Sequence, residues 1–140
     1  MRLGRVLLAG ASLVLLAACG GGASQGTSGQ TVGVTLDEYH VKLDAASIPA
    51  GKVTFQINNL GKEKHEFVIL RTDLALTALP IEGDKVQEEA TGVEHIDEID
   101  EVAVGATRDL TVELKAGSYV LVCNYLGHVH GGMVTALTVT

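Results

Sequence analysis

The chain of 140 residues contains no tryptophan, two cysteines, two methionines, two prolines and 4% aromatic residues. Two cysteines cannot build a disulfide framework, so the fold has to rest on an apolar core. Positive charge is also scarce. Ten Lys and Arg face seventeen Asp and Glu, for a net charge of −7, and that sign excludes nucleic acid as a partner, because phosphate backbones are held by bases. The longest apolar stretch, residues 6–16, is well short of the roughly 20 residues a membrane-spanning helix needs. No Gly-rich phosphate loop, catalytic triad or zinc-protease signature occurs, and the expectation is that the protein is not an enzyme.

What is present begins with a leader. Arg2 and Arg5 precede the apolar stretch, which ends in Leu16-Ala17-Ala18-Cys19. This is the layout of a secretory signal peptide, residues 1–18, with a small-residue cleavage site. Because the site ends in Cys19, it resembles a bacterial lipoprotein box, which implies that Cys19 is lipidated and becomes the new N-terminus. The alternatives are an ordinary secreted protein with a spare cysteine, or a disulfide between Cys19 and Cys123; Cys19 lies on a flexible segment, which disfavours the second. Residues 19–30 have Gly/Ser linker composition. The expected organisation is therefore an exported domain, residues 31–140, held by lipid on the extracytoplasmic face of a membrane, periplasmic or cell-surface.

Within that domain the hydrophobic period is two. Val32, Val34 and Leu36 alternate with polar neighbours; the phase then slips so that Tyr39, Val41 and Leu43 alternate, which predicts a bulge or bend at Asp37 and Glu38. Further strands are predicted over 52–57, 66–71, 110–114, 119–123 and 133–139, divided by Gly, Asn and Pro signals. The run His65-Glu-Phe-Val-Ile-Leu70 reads as a half-buried strand. Many short strands of this kind predict an all-β Greek-key sandwich of about eight strands.

Residues 73–104 break the pattern, with ten acidic residues against Lys85 alone, a net of −9. The segment reads as an acidic, partly irregular insertion lying over the sandwich, opening with a short helix over 73–79 that Pro80 stops. It is either a solvated loop or a patch that steers a basic partner.

The chemistry-bearing pattern is Cys123-Asn-Tyr-Leu-Gly-His128-Val-His-Gly-Gly-Met133. A thiol, an imidazole and a thioether at five-residue steps are a soft ligand set that suits copper, and a second histidine would complete a two-His, one-Cys, axial-Met site of the blue-copper electron-transfer kind. His65 is the best candidate for that second histidine. A lone buried Cys is more often a small core residue, but the register with His128 and Met133 favours metal. His130 competes with His128 at a seven-residue step, whereas His40 and His95 read as surface groups.

His65 after a strand, and Cys123-x4-His128-x4-Met133 before a closing strand, resemble the ligand set of cupredoxins, the small blue-copper proteins that include plastocyanins and azurins. The loop spacing is closer to azurins, and the stretch from Tyr119 to Met133 resembles cupredoxin-like domains of bacterial lipoproteins. The resemblance implies one copper per chain, with Cys123, His65 and His128 in the trigonal plane and Met133 as the long axial contact. It further implies an electron port on the apolar rim around His128, formed by Tyr125, Leu126 and Val129. Two positions depart from the family: Glu66 stands where an asparagine commonly braces the ligand loop, and Leu126 where many relatives carry proline.

Three function classes follow. The first is a one-electron carrier exchanging electrons with redox proteins such as cytochromes or a membrane oxidoreductase. The second is a copper-binding module for storage or delivery, and the third a metal-free structural lipoprotein.

Overall fold

The computed structural model describes residues 29–140. The signal peptide, Cys19 and residues 20–28 of the linker lie outside the described residues.

The alternating segments become strands of two facing sheets. Val32, Val34 and Leu36 of β1 (Gln30–Asp37) and Val53, Phe55 and Ile57 of β4 (Gly51–Asn59) are buried, while their polar neighbours face outward. With β2 (His40–Leu43) and β9 (Thr107–Leu114) they form a four-stranded sheet in the order β2-β1-β4-β9. The second sheet takes β3 (Ser47–Ile48), β5 (His65–Arg71), β8 (Glu94–Val102), β10 (Gly117–Val122) and β11 (Val134–Val139), in the order β3-β11-β10-β5-β8. Two pairings are parallel, β1 with β4 and β3 with β11; the rest are antiparallel. A small ladder of β6 (Ile81–Glu82) and β7 (Lys85–Val86) brings the strands among the described residues to eleven, three of them two residues long.

The principal core lies between the sheets, where Phe55 of one faces Phe67 of the other with ring centroids 5.6 Å apart. Each such side chain contributes about 1.5–3 kcal/mol when fully buried. Cys123 and Met133 belong to this same core.

Four expectations are corrected. The phase slip after Leu36 is a hairpin turn: Asp37 pairs with His40, and Glu38-Tyr39 connects β1 to β2. The helix over 73–79 is only a single 3-10 turn, Leu76–Ala78, none of whose residues is buried. Third, β5 is buried on both faces rather than one. Val68 and Leu70, with Val120 and Val122 of β10, form a second cluster with Leu79, Val86 and Val129 on the outer side of the sheet. Strands covered on both faces read as continuous apolar runs, as Phe67-Val-Ile-Leu70 does.

Finally, residues 73–104 are not all insertion, since β8 is a nine-residue strand paired with β5. Its inward residues Ile96, Ile99 and Val102 recur every three positions, which hides it from a period-two reading. Register shifts between His65 and Phe67 and between Ile69 and Leu70 account for the spacing; each bulge inserts a residue and restores the facing.

One end of the sandwich gathers the chemistry. The ends of β1 and β4 are level (Leu36 with Asn59), the start of β5 is level with the end of β8 (His65 with Val102), and β10 ends there beside Val68.

Candidate metal centre

His65 is the first residue of β5 and Cys123 the first after β10, so adjacent antiparallel strands bring the two together. The chain then turns through Gly127 (φ 81°) into a single helical turn, α1 (His128–Gly131), and leaves through Gly132 (φ 118°) to Met133. Such left-handed conformations favour glycine. Main-chain bonds close the loop on itself: Cys123 N donates to Met133 O, Met133 N to His128 O and His128 N to Tyr125 O, each at 3.0 Å. The ligand-bearing residues are thus held by backbone rather than by rotamers alone.

Three donors converge. Cys123 Sγ lies 3.4 Å from His128 Nδ1 and 3.8 Å from His65 Nδ1, and the two Nδ1 atoms are 3.3 Å apart. One ligand atom from each residue falls within a 4.8 Å group. All three residues are buried, as is Met133, which packs in the same core as Cys123.

Each outer nitrogen faces a carboxylate. His65 Nε2 lies 3.1 Å from Glu38 Oε1, and His128 Nε2 lies 3.5 Å from Glu63 Oε2. A proton on each outer nitrogen, where a carboxylate can accept it, leaves both Nδ1 lone pairs free on the side of the sulfur. Two lone pairs and a thiol at this separation call for a cation between them, and a soft N,N,S set fits copper.

Burial acts on the ionisation of these groups. It pushes the Cys123 thiol above its ordinary range, with the N–H groups of Glu66 and Tyr125 acting in the opposite direction. It also lowers the pKa of His65, against the pull of Glu38. Both effects favour the uncharged thiol and the uncharged His65 imidazole, and a metal ion would displace the thiol proton.

The Glu66 carboxyl is half-buried, with Oε2 unpaired, and burial together with Glu88 and Glu98 raises it to about 7. Glu38 goes the other way: the N–H of Glu63, followed by that of Lys62, holds it below the usual carboxylate range.

Of the other histidines, His130 is 56% exposed and faces Asp84 Oδ1 at 3.2 Å, so it is turned away from the site. His40 pairs with Asp37 on the surface. His95 sits on β8 between Glu88 (3.6 Å) and Glu98 (3.5 Å). The rim differs from expectation in one member: Val129 is 7% exposed and belongs to the outer apolar cluster, because the α1 turn points it inward. Leu126 is 69% exposed, while Tyr125 is half-buried, edge-on to His128, with its hydroxyl donating to Asp100 O at 2.7 Å. The surface beside His128 is completed instead by Tyr39, whose ring meets the imidazole edge-on at 5.5 Å.

Sequence reasoning missed Glu38, Asn59 and Asn124. Asn59, buried at the end of β4, donates to Glu63 O and Val102 O and accepts from Gly61 N. Asn124 pairs with both backbone groups of Val86 and donates to Glu88 Oε1 at 2.6 Å. It thereby clamps the acidic segment onto the ligand loop. Polar residues beside turns look solvated in a sequence; for Asn124, adjacency to Cys123 was the available signal.

The domain has known relatives in structure. The fold is similar to an auracyanin from Roseiflexus castenholzii (22% identity, TM-score 0.59, covering 82% of this chain and 99% of that one). It is similar to auracyanin A, described as a "blue" copper protein, of Chloroflexus aurantiacus (18%, TM-score 0.57, 80% and 100%). It is likewise similar to rusticyanin from Thiobacillus ferrooxidans (22%, TM-score 0.58, 81% and 79%). No curated protein sequence matches the chain. The family profile of the cupredoxin-like domain matches residues 8–136, most of the chain, and the protein belongs to the family of cupredoxin-like domains.

Proposed function

We propose that this protein is a mononuclear blue-copper carrier of single electrons, tethered by lipid at Cys19 on the extracytoplasmic side of a membrane. The convergence of His65 Nδ1, His128 Nδ1 and Cys123 Sγ within 4.8 Å carries the reading. Bound copper would supply the one-electron couple. Cys123, as thiolate, would hold it together with His65, His128 and Met133.

The chain's part is to keep the donors where they are. Backbone bonds close the ligand loop, and the apolar core behind Cys123 and Met133 excludes water. A site so held changes little between oxidation states, which lowers the reorganisation each transfer needs.

Electrons would enter and leave beside His128, whose outer edge reaches the surface at Glu63. Exposed Leu126 and Tyr39, with half-buried Tyr125, form the contact surface for redox proteins such as cytochromes or a membrane oxidoreductase. Tyr39 takes the place expected of Val129. Copper storage or delivery would use the same donors, but the burial of all four opposes ready exchange.

Copper titration of the full chain and of Cys123→Ser, His65→Ala and His128→Ala tests the assignment. Each variant should lose the intense thiolate-to-copper band; a variant that keeps it removes that residue from the ligand set.

A further inference from the structure

We infer that Glu38 is the positioning residue for His65, aiming its Nδ1 at the metal and shifting the copper couple toward the oxidised form. The inference rests on the copper reading above.

Glu38 belongs to neither the ligand loop nor the strand that carries His65. It lies in the β1–β2 turn of the opposite sheet. From there its Oε1 meets three groups of the loop that leads into β5: Lys62 N and Glu63 N, each at 2.8 Å, and His65 Nε2 at 3.1 Å. Three donors on one oxygen fix the carboxylate, and the fixed carboxylate fixes the imidazole. The loop is shaped to admit it, because a Cβ at Gly61 would collide with the same oxygen.

The chemistry of the contact is directional. A carboxylate on the outer N–H of a ligating imidazole sets the tautomer and raises the basicity of the inner nitrogen. Greater donor strength and an added negative charge favour copper(II) over copper(I). Glu63 faces His128 Nε2 in a similar way, but at 3.5 Å and 57% exposed, where solvent screens it; the Glu38 side chain is 21% exposed and multiply bonded.

Two variants separate positioning from a mere brace of the loop. Glu38→Gln keeps an oxygen that accepts from the same N–H groups but loses the charge. Glu38→Ala loses both. Copper-loaded Glu38→Gln should remain blue while its reduction potential rises. Its preference for copper(II) over copper(I) should fall about tenfold, equivalent to about 59 mV for one electron. In the metal-free protein, nitrogen-15 NMR should find His65 protonated at Nε2 in the wild type and in Glu38→Gln, with that preference lost in Glu38→Ala.

An unchanged potential in a blue Glu38→Gln protein, or a wild-type His65 protonated at Nδ1, overturns the inference. If the wild-type protein shows no thiolate band with copper, the copper reading fails on its own. The NMR result still decides whether Glu38 orients His65.

Discussion

The backbone N–H of Glu66 donates to Cys123 Sγ at 3.3 Å. The main chain makes this bond, which any residue except proline can supply, and Glu38, Asn59 and Asn124 brace the loops around it. The Glu66 side chain is left half-buried with an unpaired oxygen, and that has a consequence for stability.

The Glu66 carboxyl rises from its ordinary value of 4.5 to about 7 in the folded metal-free protein. The folded state therefore holds a proton that the unfolded chain has released, so this contribution is complete below about pH 4.5 and is lost as pH rises through about 7. Glu66→Gln should match the wild type near pH 4 and be more stable near pH 8, by at most about 3 kcal/mol. Denaturant midpoints of the metal-free proteins at the two values decide it. His65, whose pKa burial lowers, contributes in the opposite direction below its ordinary 6.5, but equally in both proteins, so it cancels in the comparison.

A second prediction concerns the cover over His128. A Cβ at Gly131 would stand 2.7 Å from Tyr39 Cγ, and one at Gly132 would meet Tyr39 O at 3.0 Å. Gly131 is helical, so alanine there suits the backbone and its effect isolates the collision. Gly131→Ala should destabilise the metal-free protein by about 1–3 kcal/mol, the usual range for overpacking. An unchanged denaturation midpoint would mean that Tyr39 does not seal this side of the site.

Met133→Gln should leave the copper protein coloured and lower its reduction potential, since an oxygen donor in place of a thioether favours copper(II). Equal potentials would show that Met133 is core filling rather than an axial ligand. His130→Gln should leave both colour and potential alone, because His130 points to Asp84.

The charge of residues 73–104 lies partly along β8, the outermost strand of the five-stranded sheet and the neighbour of β5. If it steers partners, electron transfer to a basic cytochrome used as probe should slow as salt rises from about 0.01 to 0.15 M, where the screening length falls from about 30 to 8 Å. A flat response would leave the segment with a structural role, holding the ligand loop through Asn124.

The sandwich and the ligand loop were legible because both depend on local pattern. Alternation marked β1 and β4, the apolar run Tyr119–Cys123 marked β10, and the spacing of Cys123, His128 and Met133 marked the loop. His65 was legible as the histidine opening an apolar run. What stayed hidden depends on partners distant in sequence. β8 carries a period of three that makes sense only beside the bulged register of β5. Glu38 looks like a solvated turn residue until the β4–β5 loop is folded over it. Val129 looks like rim until α1 turns it into the outer cluster.

The measurement that tests the central claim most directly is the visible and electron paramagnetic resonance spectrum of the full chain with one equivalent of copper(II). The account predicts an intense thiolate-to-copper band and a narrow hyperfine splitting, both lost in Cys123→Ser. A weak band with ordinary tetragonal parameters would place the ion in an open nitrogen and oxygen site and contradict the electron-carrier reading.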